Sequence, residues 1–179
     1  MKQIKFYGLG GQGVVTAAKI FVEAVAIGEG KYAQSIPAYG HERRGAPVYS
    51  DAFVSDEPIK VKSFVYDPDY VVIFDLAVLD KGVDVMVGTH PSTVFVINGD
   101  CVLPEYPFAS HQVYFINARQ IALDVLGRDI PNSAVLGAMA GTGLVGKTAA
   151  VEAVRKFFGK AGDINAEAAK QACDGLRKK

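Results

Sequence analysis

Two stretches of the chain carry residue types and spacings suited to holding an anionic ligand. The first, Gly8-Leu9-Gly10-Gly11-Gln12-Gly13, contains the pattern Gly-x-Gly-x-x-Gly. Glycines there let backbone N–H groups approach a diphosphate closely, and a helix N terminus directly behind them favours its negative charge. The second is Tyr39-Gly40-His41-Glu42-Arg43-Arg44-Gly45-Ala46-Pro47. The planar guanidinium groups of Arg43 and Arg44 suit paired hydrogen bonds to a phosphate, a carboxylate or a partner's acidic side chain. Taken alone, two arginines beside a glutamate also describe a solvated surface loop. Position favours function, because this loop follows the second element of an α/β unit and can share a sheet edge with the glycine turn.

Other candidates carry less. A nicotinamide enzyme needs an acidic residue about 20 positions after the glycine pattern to hold the ribose hydroxyls. Lys31 to Ser35 occupy that stretch without one, and Glu29 falls too early. The glycine pattern therefore reads as a phosphate or cofactor-edge site, a dinucleotide site or a purely structural turn. Gly141-Thr142-Gly143-Leu144-Val145-Gly146-Lys147-Thr148 matches the phosphate-loop pattern GxxxxGK[ST] letter for letter. That loop must follow a strand, yet the preceding Asn132–Ala140 stretch puts Val135, Leu136 and Met139 on one helical face. It reads as a turn between helices. Asp75, just past an apolar run, is either a site residue or a cap on the next turn. His41, His90 and His111 lack metal-ligand spacing.

The elements that must position these residues follow from periodicity. Ile4 to Gly8 reads as a buried strand, and Val14, Val15, Ala18, Phe21, Val22 and Val25 recur at helical spacing until Gly28. Lys31 to Ser35 suggests a short second strand, with Ile36 to Ala46 as a loop. Val48, Ser50, Ala52 and Val54 alternate with Tyr49, Asp51 and Phe53, as Ile59 to Lys62 also alternate, suggesting a half-exposed antiparallel pair turning at Ser55-Asp56-Glu57-Pro58. Tyr70–Phe74 and Thr93–Ile97 are continuous apolar runs typical of strands covered on both faces, and Val113–Ile116 is a further strand. Helical composition covers 118–126, 132–140, 148–158 and 165–176, with Asn132 and Asn165 placed as N-caps. The sum is one domain over residues 1–179: an α/β, Rossmann-like, mostly parallel sheet with a β-hairpin excursion and a helical C-terminal region.

Composition bounds the function. With 19 Lys+Arg against 19 Asp+Glu the formal charge is zero, which argues against a protein that grips nucleic acid or an anionic membrane. Cys101 and Cys173 are the only cysteines, too few for an iron–sulfur cluster or a thiolate zinc site. No apolar run approaches membrane-spanning length and no signal peptide opens the chain, so a cytoplasmic location is the expectation. At 50% hydrophobic residues the chain is apolar, implying either a deeply buried sheet or a surface partly covered by something else.

Together, Gly8 to Val14 and Tyr39 to Val48 resemble the gamma subunit of the 2-oxoacid:ferredoxin oxidoreductases. Asn117-Ala118-Arg119-Gln120-Ile121-Ala122 and Asn132-Ser133-Ala134-Val135-Leu136-Gly137-Ala138 extend the likeness over nearly the whole chain. The resemblance implies a subunit of a complex that oxidatively decarboxylates a 2-oxo acid to an acyl-coenzyme A and passes electrons to ferredoxin or a related acceptor. The form ERRGAPV looks closer to members acting on pyruvate or branched-chain 2-oxo acids. It implies thiamine diphosphate with Mg and iron–sulfur clusters in partners, namely alpha and beta (thiamine-binding) and delta (ferredoxin-like) subunits. Asn98-Gly99-Asp100 is not a thiamine-diphosphate signature, so the chain has no catalytic residues of its own on this reading. Its own binding residues would be Gly10, Gly11, Gln12, Gly13, Arg43 and Arg44, directed at coenzyme A phosphates or at a partner subunit. The alternative is a self-sufficient Rossmann-type NAD(P)-binding oxidoreductase domain.

Overall fold

The computed structural model describes residues 1–38 and 43–179. The apolar first strand, β1 (Lys2–Leu9), lies inside a seven-stranded sheet whose other strands are β2 (Tyr32–Ala38), β3 (Pro47–Ser55), β4 (Tyr70–Ile73), β5 (Val94–Asn98), β6 (Gln112–Ile116) and β7 (Arg177–Lys178). The order is β2-β3-β1-β4-β5-β6-β7. β1, β4, β5 and β6 run parallel, β3 is antiparallel to both β1 and β2, and β7 is antiparallel to β6.

Strand alternation splits the core in two. Ile4 and Phe6 of β1, Ala52 and Val54 of β3, and Val72 and Phe74 at β4 face a helical layer. That layer is built from α1 (Val14–Glu23), α4 (Asn132–Gly141), α5 (Lys147–Phe158) and α6 (Gly162–Asp174). Asn132 to Ala140 are all buried, so α4 is a central helix enclosed on every side. It lies so close to α6 that a Cβ on Gly137 would stand 1.9 Å from the Ala169 carbonyl oxygen. On the other face, Tyr7, Val71, Ile73, Phe95, Ile97 and Val113 pack under the short α2 (Ala77–Asp80) and irregular segments contributing Val85 and Phe108.

Several expectations need correction. The hairpin excursion is β2 with β3, not β3 with Ile59–Lys62. Both edges of β3 are already taken, Ile4 facing Ala52 on one side and Ser35 facing Ala52 on the other, so a third partner has no ladder to join. Residues 56–69 instead cross the sheet without regular structure. Gln34 Nε2 donates to Val61 O at 2.7 Å, and Lys5 Nζ donates to Val65 O at 2.9 Å while Val65 N donates to Asp51 Oδ2 at 2.7 Å. This covering buries Phe53 and Asp51, so β3 is not half-exposed. Burial pushes the Asp51 carboxyl up, against the opposing pull of the Val65 N–H and Lys5. β2 also runs on to Ala38, into the expected loop.

Neither predicted asparagine cap forms. Pro131 precedes α4, and Asn132 sits inside it with Oδ1 accepting from Ser133 N at 2.8 Å. α6 begins at Gly162, and Asn165 in its first turn donates to Ala161 O at 2.9 Å and accepts from Ser133 Oγ at 2.8 Å. Both are buried polar residues, and the Ser133–Asn165 bond ties α4 to α6. The side-chain cap falls at Asn117, whose Oδ1 accepts from Gln120 N at 2.8 Å to start α3 (Ala118–Leu126).

Candidate functional site

β1 ends at Leu9 and α1 begins at Val14, so the glycine turn occupies the strand-to-helix junction that the motif requires. Gly13 precedes the helix with φ +77° and Gly11 has φ +97°, both in the left-handed region glycine tolerates. A Cβ on Gly13 would stand 2.6 Å from Asn132 Nδ2, so the start of α4 is packed against the turn. The first bond of α1 runs from Ala17 N to Gly13 O at 2.8 Å. The amides of Val14, Val15 and Thr16 thus begin the helix without helical acceptors, as donors for an anion.

The arginine loop meets this turn through main-chain bonds. Gly10 N donates to Ala46 O at 2.8 Å, Gly45 N donates to Gly10 O at 3.1 Å, and Ala46 N donates to Arg43 O at 2.9 Å. Gly10 is required here, since a Cβ would lie 2.3 Å from the Arg43 carbonyl oxygen. Antiparallel pairing of β3 with β1, ending at Leu9 opposite Pro47, delivers residues 43–46 to this place. Gly10, Gly11, Gly13, Arg43 and Arg44 therefore line one cleft of about 920 Å³, with both arginines exposed. Tyr39 to Glu42, the first part of the predicted motif, lie outside the described residues.

Gln12 does something else. Its Oε1 accepts from Leu9 N at 2.8 Å and its Nε2 donates to Asp75 Oδ2 at 2.6 Å. Asp75 Oδ1 in turn accepts from Ala77 N at 2.9 Å, so Asp75 caps the turn into α2. Gln12 holds the turn to the end of β4 and does not line the cleft. The same geometry bears on a dinucleotide site. The parallel neighbour of β1 is β4, not the short strand at 32–38, and the acidic residue past its end is Asp75. Both Asp75 oxygens are committed within the chain, which disfavours a ribose-binding role.

Two cleft cations were not singled out by the sequence: Lys19 on α1, and Arg128 on the loop between α3 and α4. Neither belongs to a motif. Their only sequence signal is a basic residue at a helical face or loop, which exposed positions commonly carry. The phosphate-loop lookalike is elsewhere, between α4 and α5. Gly146 N donates to Glu29 Oε1 at 2.6 Å and Lys147 Nζ lies 2.5 Å from Asp174 Oδ1, so the protein's own carboxylates occupy it.

A glycine turn between a central strand and a helix, a basic loop bonded to it, and a cleft of this size define a Rossmann-like α/β fold with a basic cleft at the strand-to-helix junction. Among the described residues no group of His, Cys, Asp or Glu side chains is arranged to hold a metal ion. The chain belongs to the pyruvate ferredoxin/flavodoxin oxidoreductase family, whose model matches residues 3–175. It is similar to pyruvate synthase subunit PorC of Methanothermobacter thermautotrophicus, with 43% identity covering 99% of this chain and 97% of the relative. It is also 42% identical to the pyruvate/ketoisovalerate oxidoreductases common subunit gamma of Thermococcus kodakarensis, covering 96% of this chain and 95% of that one. The crystal structure of pyruvate oxidoreductase subunit PORC from Thermotoga maritima superimposes with TM-score 0.82 at 28% identity, covering 99% of this chain and 97% of that one. The expected family is thus the observed one, and the relatives it resembles are named as subunits of oxidoreductases.

Proposed function

We propose that this chain is the gamma-type subunit of a cytoplasmic complex that oxidatively decarboxylates pyruvate or a related 2-oxo acid to an acyl-coenzyme A, passing the electrons to ferredoxin or a related acceptor. Within that complex the chain binds the phosphates of coenzyme A. The observation that carries the binding role is the union of the glycine turn and the arginine loop in one cleft, through Gly10. The names of the similar proteins, pyruvate synthase and pyruvate/ketoisovalerate oxidoreductase, support the reaction class.

The division of labour follows from what the chain contains. Its two cysteines cannot ligate an iron–sulfur cluster, so clusters belong to a delta-type, ferredoxin-like partner, and thiamine diphosphate with Mg to alpha and beta partners. Among the described residues no helix is long and apolar enough to cross a membrane, which is compatible with the proposed location. Coenzyme A supplies the thiol that accepts the acyl group. This chain's residues supply position: the amides at the start of α1 and the Arg43 and Arg44 guanidiniums hold the anionic end. The thiol arm is then tethered, and its encounter with the acyl donor becomes intramolecular.

A charge-assisted hydrogen bond is worth about 1.5–3 kcal/mol, or roughly one to two orders of magnitude in affinity. The test is calorimetric titration of coenzyme A into the intact complex carrying Arg43→Ala or Arg44→Ala. Weaker binding by that amount supports the reading. Unchanged affinity in an intact complex assigns the arginines to a subunit interface instead.

A further inference from the structure

The two faces of the sheet are covered unequally. Long helices pack on one face, whereas among the described residues the other carries the four-residue α2 and irregular segments. Near β1 and β3 that thinner cover comes from residues 56–69 and 82–88. The two segments touch where a Cβ on Gly88 would stand 1.8 Å from the Tyr66 carbonyl oxygen. A pocket of about 440 Å³ remains between them and the sheet. Lys5, Tyr7 and Asp51 form its inner wall, and the exposed residues Tyr49, Phe64, Asp84 and Val87 form its rim. Phe64 and Val87 are 47% and 54% exposed, so part of the chain's apolar content is surface around this opening and not core.

Charge is balanced inside the pocket and unbalanced at its mouth. Lys5 Nζ lies 3.4 Å from Asp51 Oδ1 and donates to Val65 O at 2.9 Å, while Asp51 Oδ2 accepts from Val65 N at 2.7 Å. Asp84 Oδ1 accepts from Met86 N at 2.9 Å, and among the described residues no cation pairs with its carboxylate. Lys60, Lys62 and Lys81 belong to the neighbouring segments but do not line the pocket. The Tyr7 and Tyr49 rings meet edge to face, with centroids 5.5 Å apart, and so form an aromatic corner. Burial pushes the Tyr7 phenol up, and Asp51, Tyr49 and Asp84 add to the shift, so the phenol stays neutral beside the carboxylate.

An unpaired carboxylate at the mouth of an aromatic-walled pocket is complementary to a cation carried on an apolar stem. Arginine fits better than lysine, because its guanidinium is planar, stacks on rings and is more weakly hydrated. We infer that this pocket receives an arginine side chain of a partner subunit, with its guanidinium on Asp84 and against the Tyr49 and Phe64 rings. The inference rests on the proposed membership of a complex and is independent of coenzyme A binding.

Two measurements on the assembled complex test it. With p-benzoylphenylalanine at position 64, irradiation joins this chain to a different subunit, and peptide mapping places an arginine within a few residues of the attachment point. In analytical ultracentrifugation over a dilution series, Asp84→Asn weakens retention of this chain by about tenfold and Asp84→Arg by about a hundredfold, since the latter sets like charges together. Phe64→Ala weakens it by about tenfold, and Asp84→Glu keeps most of the affinity. Attachment to a second copy of this chain, to a peptide without arginine or to nothing overturns the inference, as does wild-type retention of the Asp84→Arg chain. A wild-type chain that purifies from its native source as a monomer overturns the complex reading itself, and the inference with it. Asp84 and Phe64 are exposed, so the variants keep the fold, which circular dichroism of each checks.

Discussion

The chain contains two glycine-rich helix starts, one before α1 and one before α5, and they have opposite fates. The turn at 8–13 follows the central strand, and its helix start opens into a cleft rimmed by arginines. The turn at 141–148 matches a phosphate-loop pattern more completely, yet it links two helices, and its amide at Gly146 is bonded to Glu29. A helix N terminus attracts negative charge wherever it occurs. Whether that charge comes from a ligand or from the protein depends on what the preceding element aims at it.

That contrast can be tested at four points. The largest effect is expected from Gly10→Ala, where a Cβ would strike the Arg43 carbonyl oxygen at 2.3 Å. We expect a loss of about 3 kcal/mol in urea unfolding. Gly143→Ala in the other turn meets nothing within 4 Å and carries only the cost of φ +83°, about 1 kcal/mol. Equal losses would show that the two turns are equally constrained, and the contrast would fail.

Next in size is ligand binding. Arg44→Ala should weaken coenzyme A by roughly ten- to a hundredfold, whereas Lys147→Ala should leave it within about twofold, since Lys147 faces Asp174. A Lys147 effect matching that of Arg44 in calorimetry would move the site to the wrong turn. Gln12→Ala leaves Leu9 N and Asp75 without their partner and should cost about 1–2 kcal/mol of stability, measured by denaturant titration. A loss below about 0.3 kcal/mol would mean that the bridge to β4 does not brace the turn. The smallest effect is expected from Glu29→Gln, which removes a carboxylate from the start of α5 at a cost of about 0.3–1 kcal/mol. Appearance of ATP binding in that variant would show that the lookalike was merely blocked, not misplaced.

What could be read from the chain depended on the range of the interaction. The strand, turn and helix around Gly8–Val14 were legible because steric demands on glycine and apolar periodicity are local. The meeting of Arg44 with Gly10 could only be suspected, because it depends on β3 running antiparallel to β1 in a particular register. The hairpin partner was misread for the same reason: alternation at Ile59–Lys62 is a local signal, and the occupancy of both β3 edges is not. Asn132 and Asn165 have the side chains of caps, yet burial against Ser133 gives them a different task. Lys19 and Arg128 lacked any motif, and only the folded cleft puts them with the arginine pair.

The bonds joining residues 43–46 to Gly10 are all made by the main chain. The loop's position is therefore independent of which side chains it carries at 43 and 44, so long as residue 10 lacks a Cβ. This separates the frame from the reader. On the proposed binding role, other residues substituted at these two positions would change which anionic group is preferred, while the socket stays in register. The arginine loop is accordingly a natural place to retune ligand choice without rebuilding the fold.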